Sequence, residues 1–166
     1  MIEINNLTTA TINERFLKGV AKKVLKGENK KKVILSIALV GSERIKKLNK
    51  KYRKKNKITD VLTFGQTQNS KINPSTTLRV DGERSRTIKN QKFLFLPENE
   101  FGEIVICLRE VKKNAKKYQT NFKKELAQVL IHGILHLLGY EHERDEREAK
   151  KMERKQEDYL SQVMYR

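Results

Sequence analysis

This chain is poor in the residues that staple, kink or neutralise a fold. It has 166 residues with no tryptophan, two prolines and one cysteine, and 20 acidic side chains stand against 37 lysines and arginines. A single cysteine, Cys107, cannot close an internal disulfide, so stability must come from packing, and a reducing cytoplasm is the expected setting. Cys107 stands in the apolar run Ile104-Val105-Ile106-Cys107-Leu108 and reads as a small buried core residue. No apolar run approaches the roughly 20 residues that a membrane-spanning helix requires, which argues against an integral membrane protein. The start, Met1-Ile2-Glu3-Ile4-Asn5-Asn6, has no basic leader ahead of an apolar run, so no secretory signal is expected. The shortage of acid leaves a formal charge of +17. A surplus of that size opposes compaction by self-repulsion and points to a polyanionic partner, with nucleic acid ahead of an anionic membrane surface.

The length suits one domain with a real core, so residues 1–166 read as a single unit. Residues 2–9 read as a strand. Ile12, Phe16, Val20 and Val24 recur at helical spacing up to Leu25, and Gly27 closes that helix. Residues 33–40 are a β-branched run, hence a strand buried on both faces. Ser42 is the expected N-cap of a second helix reaching Lys55, and residues 60–64 form a third strand. Residues 66–92 are polar, aperiodic and long, and read as a flexible insertion. Phe93-Leu94-Phe95-Leu96 and residues 102–106 supply one or two more strands. Basic helix 108–118 and helix 122–138 follow. The second of these is apolar on almost every side and therefore central and buried. A last helix over 145–165 carries a thin apolar stripe at Ala149, Met152, Tyr159, Leu160 and Val163, with charges of both signs elsewhere. The predicted class is α+β, a small mixed sheet of about four strands packed with helices.

All three histidines fall within Ile131-His132-Gly133-Ile134-Leu135-His136-Leu137-Leu138-Gly139-Tyr140-Glu141-His142. His132 and His136 are four apart, so on a helix they share one face. Gly139 suits the left-handed residue that ends helices, after which the chain can return His142 to the same point. Three neutral imidazoles with one open position describe a catalytic zinc site, since a structural one is closed by four ligands. The reading is one Zn2+ per chain at the end of the buried helix, with both helical histidines in the core. The spacing also occurs in metzincin proteases, where a glutamate after the first histidine is the general base. Here that position is Gly133, which takes no proton, so peptide hydrolysis by that route lacks its base.

His132-Gly133-x-x-His136-Leu137-x-Gly139-Tyr140-x-His142 resembles the signature of the YbeY family of bacterial rRNA-maturation endoribonucleases. Leu48-Asn49-x-x-Tyr52-Arg53 with Thr59-Asp60-Val61-Leu62-Thr63-Phe64 resembles its central block, and Gly102-Glu103-Ile104-Val105-Ile106 its Gly-Asp-Ile strand. The likeness covers most of residues 32 to 160. Departures are Glu103 and Glu141 where the family usually has Asp, and Thr63-Phe64-Gly65 where it has Ser-Phe-Pro. The resemblance implies a zinc-dependent single-strand endoribonuclease acting on ribosomal RNA of the small subunit. It also implies that Arg53 faces the scissile phosphate, a task that suits a guanidinium. No side chain stands out as general base. Glu103 and Glu141 read as outer partners of the metal ligands or as surface residues rather than catalysts.

Nine of the fourteen residues 44–57 are basic and none is acidic. Lys50, Lys51, Arg53, Lys54 and Lys55, with Lys112 and Lys116 of a second patch, are the expected phosphate contacts. The last helix, mixed in sign, reads as a solvated, self-paired helix apart from RNA. Two rivals remain at this point. One is a non-catalytic rRNA-binding assembly factor with a structural zinc. The other is a metal hydrolase of small phosphoesters or amides, or a metalloprotease-like one, which would have no use for the basic surface.

Overall fold

A computed structural model of the chain describes residues 1–30, 33–65, 100–140 and 145–165. Its described elements run β1 (Ile2–Asn6), α1 (Glu14–Gly27), β2 (Ile34–Val40), α2 (Ser42–Arg53), β3 (Val61–Gly65), β4 (Glu100–Cys107), α3 (Leu108–Lys117), α4 (Phe122–Leu137) and α5 (Glu146–Met164). The four strands form one sheet in the order β1-β2-β4-β3. β1 pairs parallel with β2 and β2 parallel with β4, while β3 returns antiparallel to β4. This is the α+β domain with a small mixed sheet that the periodicity predicts. The segment 66–92, read as an insertion, and the strand expected at 93–96 lie outside the described residues.

The two central strands explain the layering. Side chains alternate faces along a strand. Leu35, Ile37 and Leu39 of β2 with Ile104 and Ile106 of β4 therefore meet α1, α3, α4 and α5 in the main core. Ala38, Val40, Val105 and Cys107 point the other way, toward Ile45, Leu48 and Tyr52 of α2. β2 is thus buried on both faces, as its apolar run requires. Cys107 is fully buried and free.

One local expectation is corrected and another gains a physical reason. Ser42 does not cap α2. Gly41 is the N-cap, and Ser42 is the first helical residue, buried with its Oγ 3.9 Å from Cys107 Sγ. Gly27 does end α1, but the left-handed residue is Asn29, with φ 58°. Gly27 is small for another reason: a Cβ there would lie 2.3 Å from the Tyr159 hydroxyl. The junction of α1 with α5 depends on that missing methyl.

Candidate metal centre and flanking surfaces

α4 begins at Asn121, whose side-chain oxygen accepts the Lys124 amide at 2.7 Å. It then runs between the sheet and the other helices, with Leu126, Leu130, Ile131, Ile134 and Leu135 in the core. Its close approach to the sheet is set at Gly133. A Cβ there would come 3.1 Å from Ile104 Cγ2 and 3.4 Å from Thr63 Cγ2. Gly133 therefore packs against the sheet between the two histidines, which accounts for the smallest residue at that position. His136 is buried, whereas His132 is only half-buried, so the expectation that both lie in the core is corrected for His132. The physical reason is its place on the side of α4 that opens into a cleft of about 480 Å³ beneath α5. That cleft is lined by His132, Glu146, Ala149, Lys150, Met152, Glu153 and Gln156.

The two rings stand edge to face, centroids 4.5 Å apart and planes at 85°. Their Nε2 atoms are 3.0 Å apart. A neutral imidazole carries one proton, so in that state what those atoms carry follows from the other nitrogen of each ring. His136 Nδ1 lies 3.0 Å from the Tyr140 carbonyl oxygen, which can only accept, so Nδ1 holds the proton. His132 Nδ1 lies 2.9 Å from Gln156 Oε1, also an acceptor, with the same result. Two neutral rings arranged this way present Nε2 lone pairs to one another at contact distance. Such a pair repels unless a cation sits against both. Two imidazoles on a tetrahedral zinc, each at about 2.0–2.1 Å, would be roughly 3.3 Å apart, close to what is found. The donor set and its tautomers fit a metal.

The turn after α4 is the second half of the construction. Gly139 takes φ +89°. Its amide donates to the His136 carbonyl, and the Tyr140 amide donates to the Leu135 carbonyl at 3.1 Å. These are the paired bonds of a Schellman ending. The chain doubles back, which carries the Tyr140 carbonyl over the His136 ring. His142 and Glu141 lie outside the described residues. Two of the three predicted ligands are therefore brought together. Among the described residues no group of three or more metal-binding side chains occurs.

α5 holds this arrangement from the side. It starts at Asp145, which caps the Arg147 amide at 2.8 Å, and pairs within itself through Glu146–Lys150 and Glu148–Lys151. That much matches the expected self-paired helix. Its inner face does more. Glu28, just past α1, accepts hydrogen bonds from Tyr140 Oη at 2.8 Å, Tyr159 Oη at 2.7 Å and Lys155 Nζ. Lys151 and Lys155 both lie over the Tyr140 ring. Burial pushes the Glu28 carboxyl up, but the hydrogen bonds from Lys155, Tyr159 and Tyr140 outweigh it and hold the group below its usual value. Burial, then the bond to Glu28, pushes the Tyr159 hydroxyl up to about 12. Lys155 is raised chiefly by its hydrogen bond to Glu28.

Arg53 is the last residue of α2, half-buried, on the helix that covers the sheet face opposite α4. Among the described residues β3 is the edge strand beside β4. The end of α2 is fixed locally. Asn49 is buried and donates from Nδ2 to the Lys57 carbonyl at 2.7 Å, and Tyr52 packs edge to face on Phe64 at 5.3 Å. Lys50, Lys51, Lys54 and Lys55 are exposed, and Lys47, Lys50, Lys51 and Lys54 line one groove of about 490 Å³. Lys112 and Lys116 are exposed on α3. Glu103 is buried on the α2 side of the sheet, so it is no surface residue. A second buried carboxyl, Glu125, lies in the first turn of α4, two turns before His132. Burial and then the charge of Asp60 raise it.

Gln156, Glu28 and the backbone of Tyr140 went unrecognised as parts of this centre. One of them left a signal. Ala149, Met152, Tyr159 and Val163 follow a three-four spacing, and position 156 completes it with a glutamine. A polar residue in an apolar stripe asks for a buried partner. Glu28 left none, because its partners are 112 to 131 residues away in sequence.

Comparisons with known proteins identify the family. Residues 3–164 match the family model described as endoribonuclease YbeY. A protein of that name from Thermotoga petrophila is 36% identical over 131 residues, 79% of this chain and 68% of that protein. Another from Thermosipho melanesiensis is 32% identical over 157 residues, 95% of this chain and 92% of that protein. A solution structure of a Thermotoga maritima protein superposes with a TM-score of 0.58 at 29% identity, covering 98% of this chain and 89% of the other. With residues 3–164 matched by that family model and relatives 32–36% identical over most of its length, the chain belongs to the endoribonuclease YbeY family.

Proposed function

We propose that this chain is a zinc-dependent, single-strand endoribonuclease of ribosomal RNA maturation, acting on small-subunit rRNA. One domain spans residues 1–166, with 66–92 as an insertion, and one Zn2+ is held by His132, His136 and His142. The observation that carries the metal is the pair of Nε2 atoms 3.0 Å apart with both Nδ1 protons committed to oxygen acceptors. Family membership carries the RNA substrate. When bound, a zinc ion there supplies Lewis-acid polarisation of a phosphoryl oxygen and lowers the pKa of water.

The chain's own residues supply the rest. The Tyr140 carbonyl and Gln156 orient the two rings. Arg53 grips the scissile phosphate, where its planar fork matches two oxygens at once and offsets charge that builds during cleavage. Lys50, Lys51, Lys54 and Lys55 on the α2 side, with Lys112 and Lys116 on α3, attract the RNA backbone. Glu103, buried behind the sheet, is not placed to exchange protons with solvent at the histidines. The cytoplasmic setting is supported by a free, buried Cys107, since a reducing compartment keeps such a thiol intact. No helix among the described residues is long and apolar enough to cross a membrane.

The test is cleavage of single-stranded ribosomal RNA by the wild-type chain, His136→Ala and chelator-treated protein, with metal content measured on each. The expected result is one zinc per chain, internal cuts that vanish in both treated samples, and recovery when zinc is returned to the chelated one. RNA bound but left uncut by the zinc-loaded wild type would make the protein an assembly factor instead.

A further inference from the structure

We infer that Gln156 is a positioning residue for His132, working through the imidazole and not on the substrate. The inference rests on the metal reading above and adds a residue of α5 to it. Gln156 Oε1 sits 2.9 Å from His132 Nδ1. An amide oxygen only accepts, so the contact fixes the ring proton on Nδ1 and leaves the Nε2 lone pair facing His136. A ring free to exchange its proton or rotate would lose that lone pair to solvent part of the time. Metal-bound histidines generally have such an outer acceptor, and removing it weakens binding by about 10- to 100-fold.

The acceptor is also held still. One turn before it, Met152 is buried in the main core. Beside it Lys155, and one turn after it Tyr159, are tied to Glu28. The half-buried side chain of Gln156 therefore projects from a helix anchored above and below it into the cleft that His132 lines. The same Glu28 holds the Tyr140 ring, and the backbone carbonyl of Tyr140 is the acceptor for His136. Both visible ligand rings are thus oriented by oxygens whose positions trace to one node.

The experiment compares the full-length wild type with Gln156→Leu, which keeps the bulk and drops the acceptor, and Gln156→Glu, which restores an oxygen acceptor. Zinc affinity is measured by competition with a chromogenic chelator, and the His132 tautomer by nitrogen-15 NMR of the zinc-free proteins. Gln156→Leu is expected to bind zinc about 10- to 100-fold more weakly, with a cooperative thermal transition retained and the Nδ1–H tautomer of His132 no longer dominant. Gln156→Glu is expected to return affinity to within a few-fold of wild type. Equal zinc affinity and an unchanged His132 tautomer in Gln156→Leu would overturn the inference. Loss of affinity in both variants would also overturn it, because bulk or packing would then be responsible. If the wild type binds no zinc yet the tautomer moves in Gln156→Leu alone, the metal reading fails and the positioning of the ring survives.

Discussion

Two clefts of nearly equal size, about 480 and 490 Å³, differ in almost everything else. The one under α5 contains a histidine, a glutamine, two glutamates, a lysine and two apolar side chains. The one along α2 is lined by four lysines. In the first, the proposed metal binding depends on where particular atoms sit, and each ring nitrogen has a fixed partner. In the second, the proposed attraction of RNA depends on summed charge, and no single lysine is assigned a defined target. Positional chemistry is insensitive to salt and destroyed by one substitution, whereas charge attraction is screened within about 8–10 Å at physiological salt and erodes gradually. The protein keeps the two on different elements, so they should fail independently.

The sharpest way to test that separation is Arg53→Ala, because Arg53 ends the lysine-bearing helix yet is assigned a positional task. Cleavage is expected to fall by roughly 10²- to 10³-fold while metal analysis still finds one zinc per chain. Unimpaired cleavage would remove Arg53 from the mechanism and leave α2 as a purely electrostatic surface.

A smaller and differently shaped effect is expected from replacing Lys47, Lys50, Lys51 and Lys54 together by alanine. Affinity for single-stranded RNA should drop, and the slope of log affinity against log salt should flatten by up to about 3, at roughly 0.7 per lost phosphate contact. Zinc binding should be unaffected. A slope identical to wild type in binding titrations would mean that RNA docks elsewhere.

The smallest effect concerns the node behind the histidine cleft. Glu28→Gln replaces the carboxylate that Tyr140, Tyr159 and Lys155 address, and is expected to lower stability by about 1–3 kcal/mol, or roughly 2–10 °C in Tm at this size. The sign with pH follows from the shifts. Glu28 lies below its ordinary value of 4.5, so its contribution is present above that value and is lost as acid is added through the folded pKa. Tyr159 lies above its ordinary 10.0, at about 12, so its contribution is full below 10 and lost as pH rises toward 12. Melting curves against pH should fall away at both ends, and Glu28→Gln should flatten the acid limb. An acid limb of equal steepness in the variant would assign it to other carboxylates.

Much of this was readable in advance for a local reason. Helix α4, its glycine ending and the spacing of His132 and His136 depend on residues within a few turns, where the 3.6-residue period and the left-handed preference of glycine act directly. The doubly buried strand β2 announced itself by its apolar run. Ser42 was misread because a serine before a helix resembles a cap whether or not its hydroxyl is drawn toward Cys107. His132 was placed too deep because an all-round apolar helix gives no hint of which side a neighbour leaves open.

By itself the sequence determined the charge surplus, the α+β alternation and a pair of imidazoles one turn apart, since each follows from composition or from spacing along one element. Only the tertiary structure decided which nitrogen of the His132 ring carries its proton and which face of α4 opens to a cleft. It also decided that α1, α5 and the turn after α4 meet at Glu28. Those outcomes rest on contacts between residues 24 to 131 positions apart, and such contacts exist only once the apolar faces have packed and brought their polar edges together.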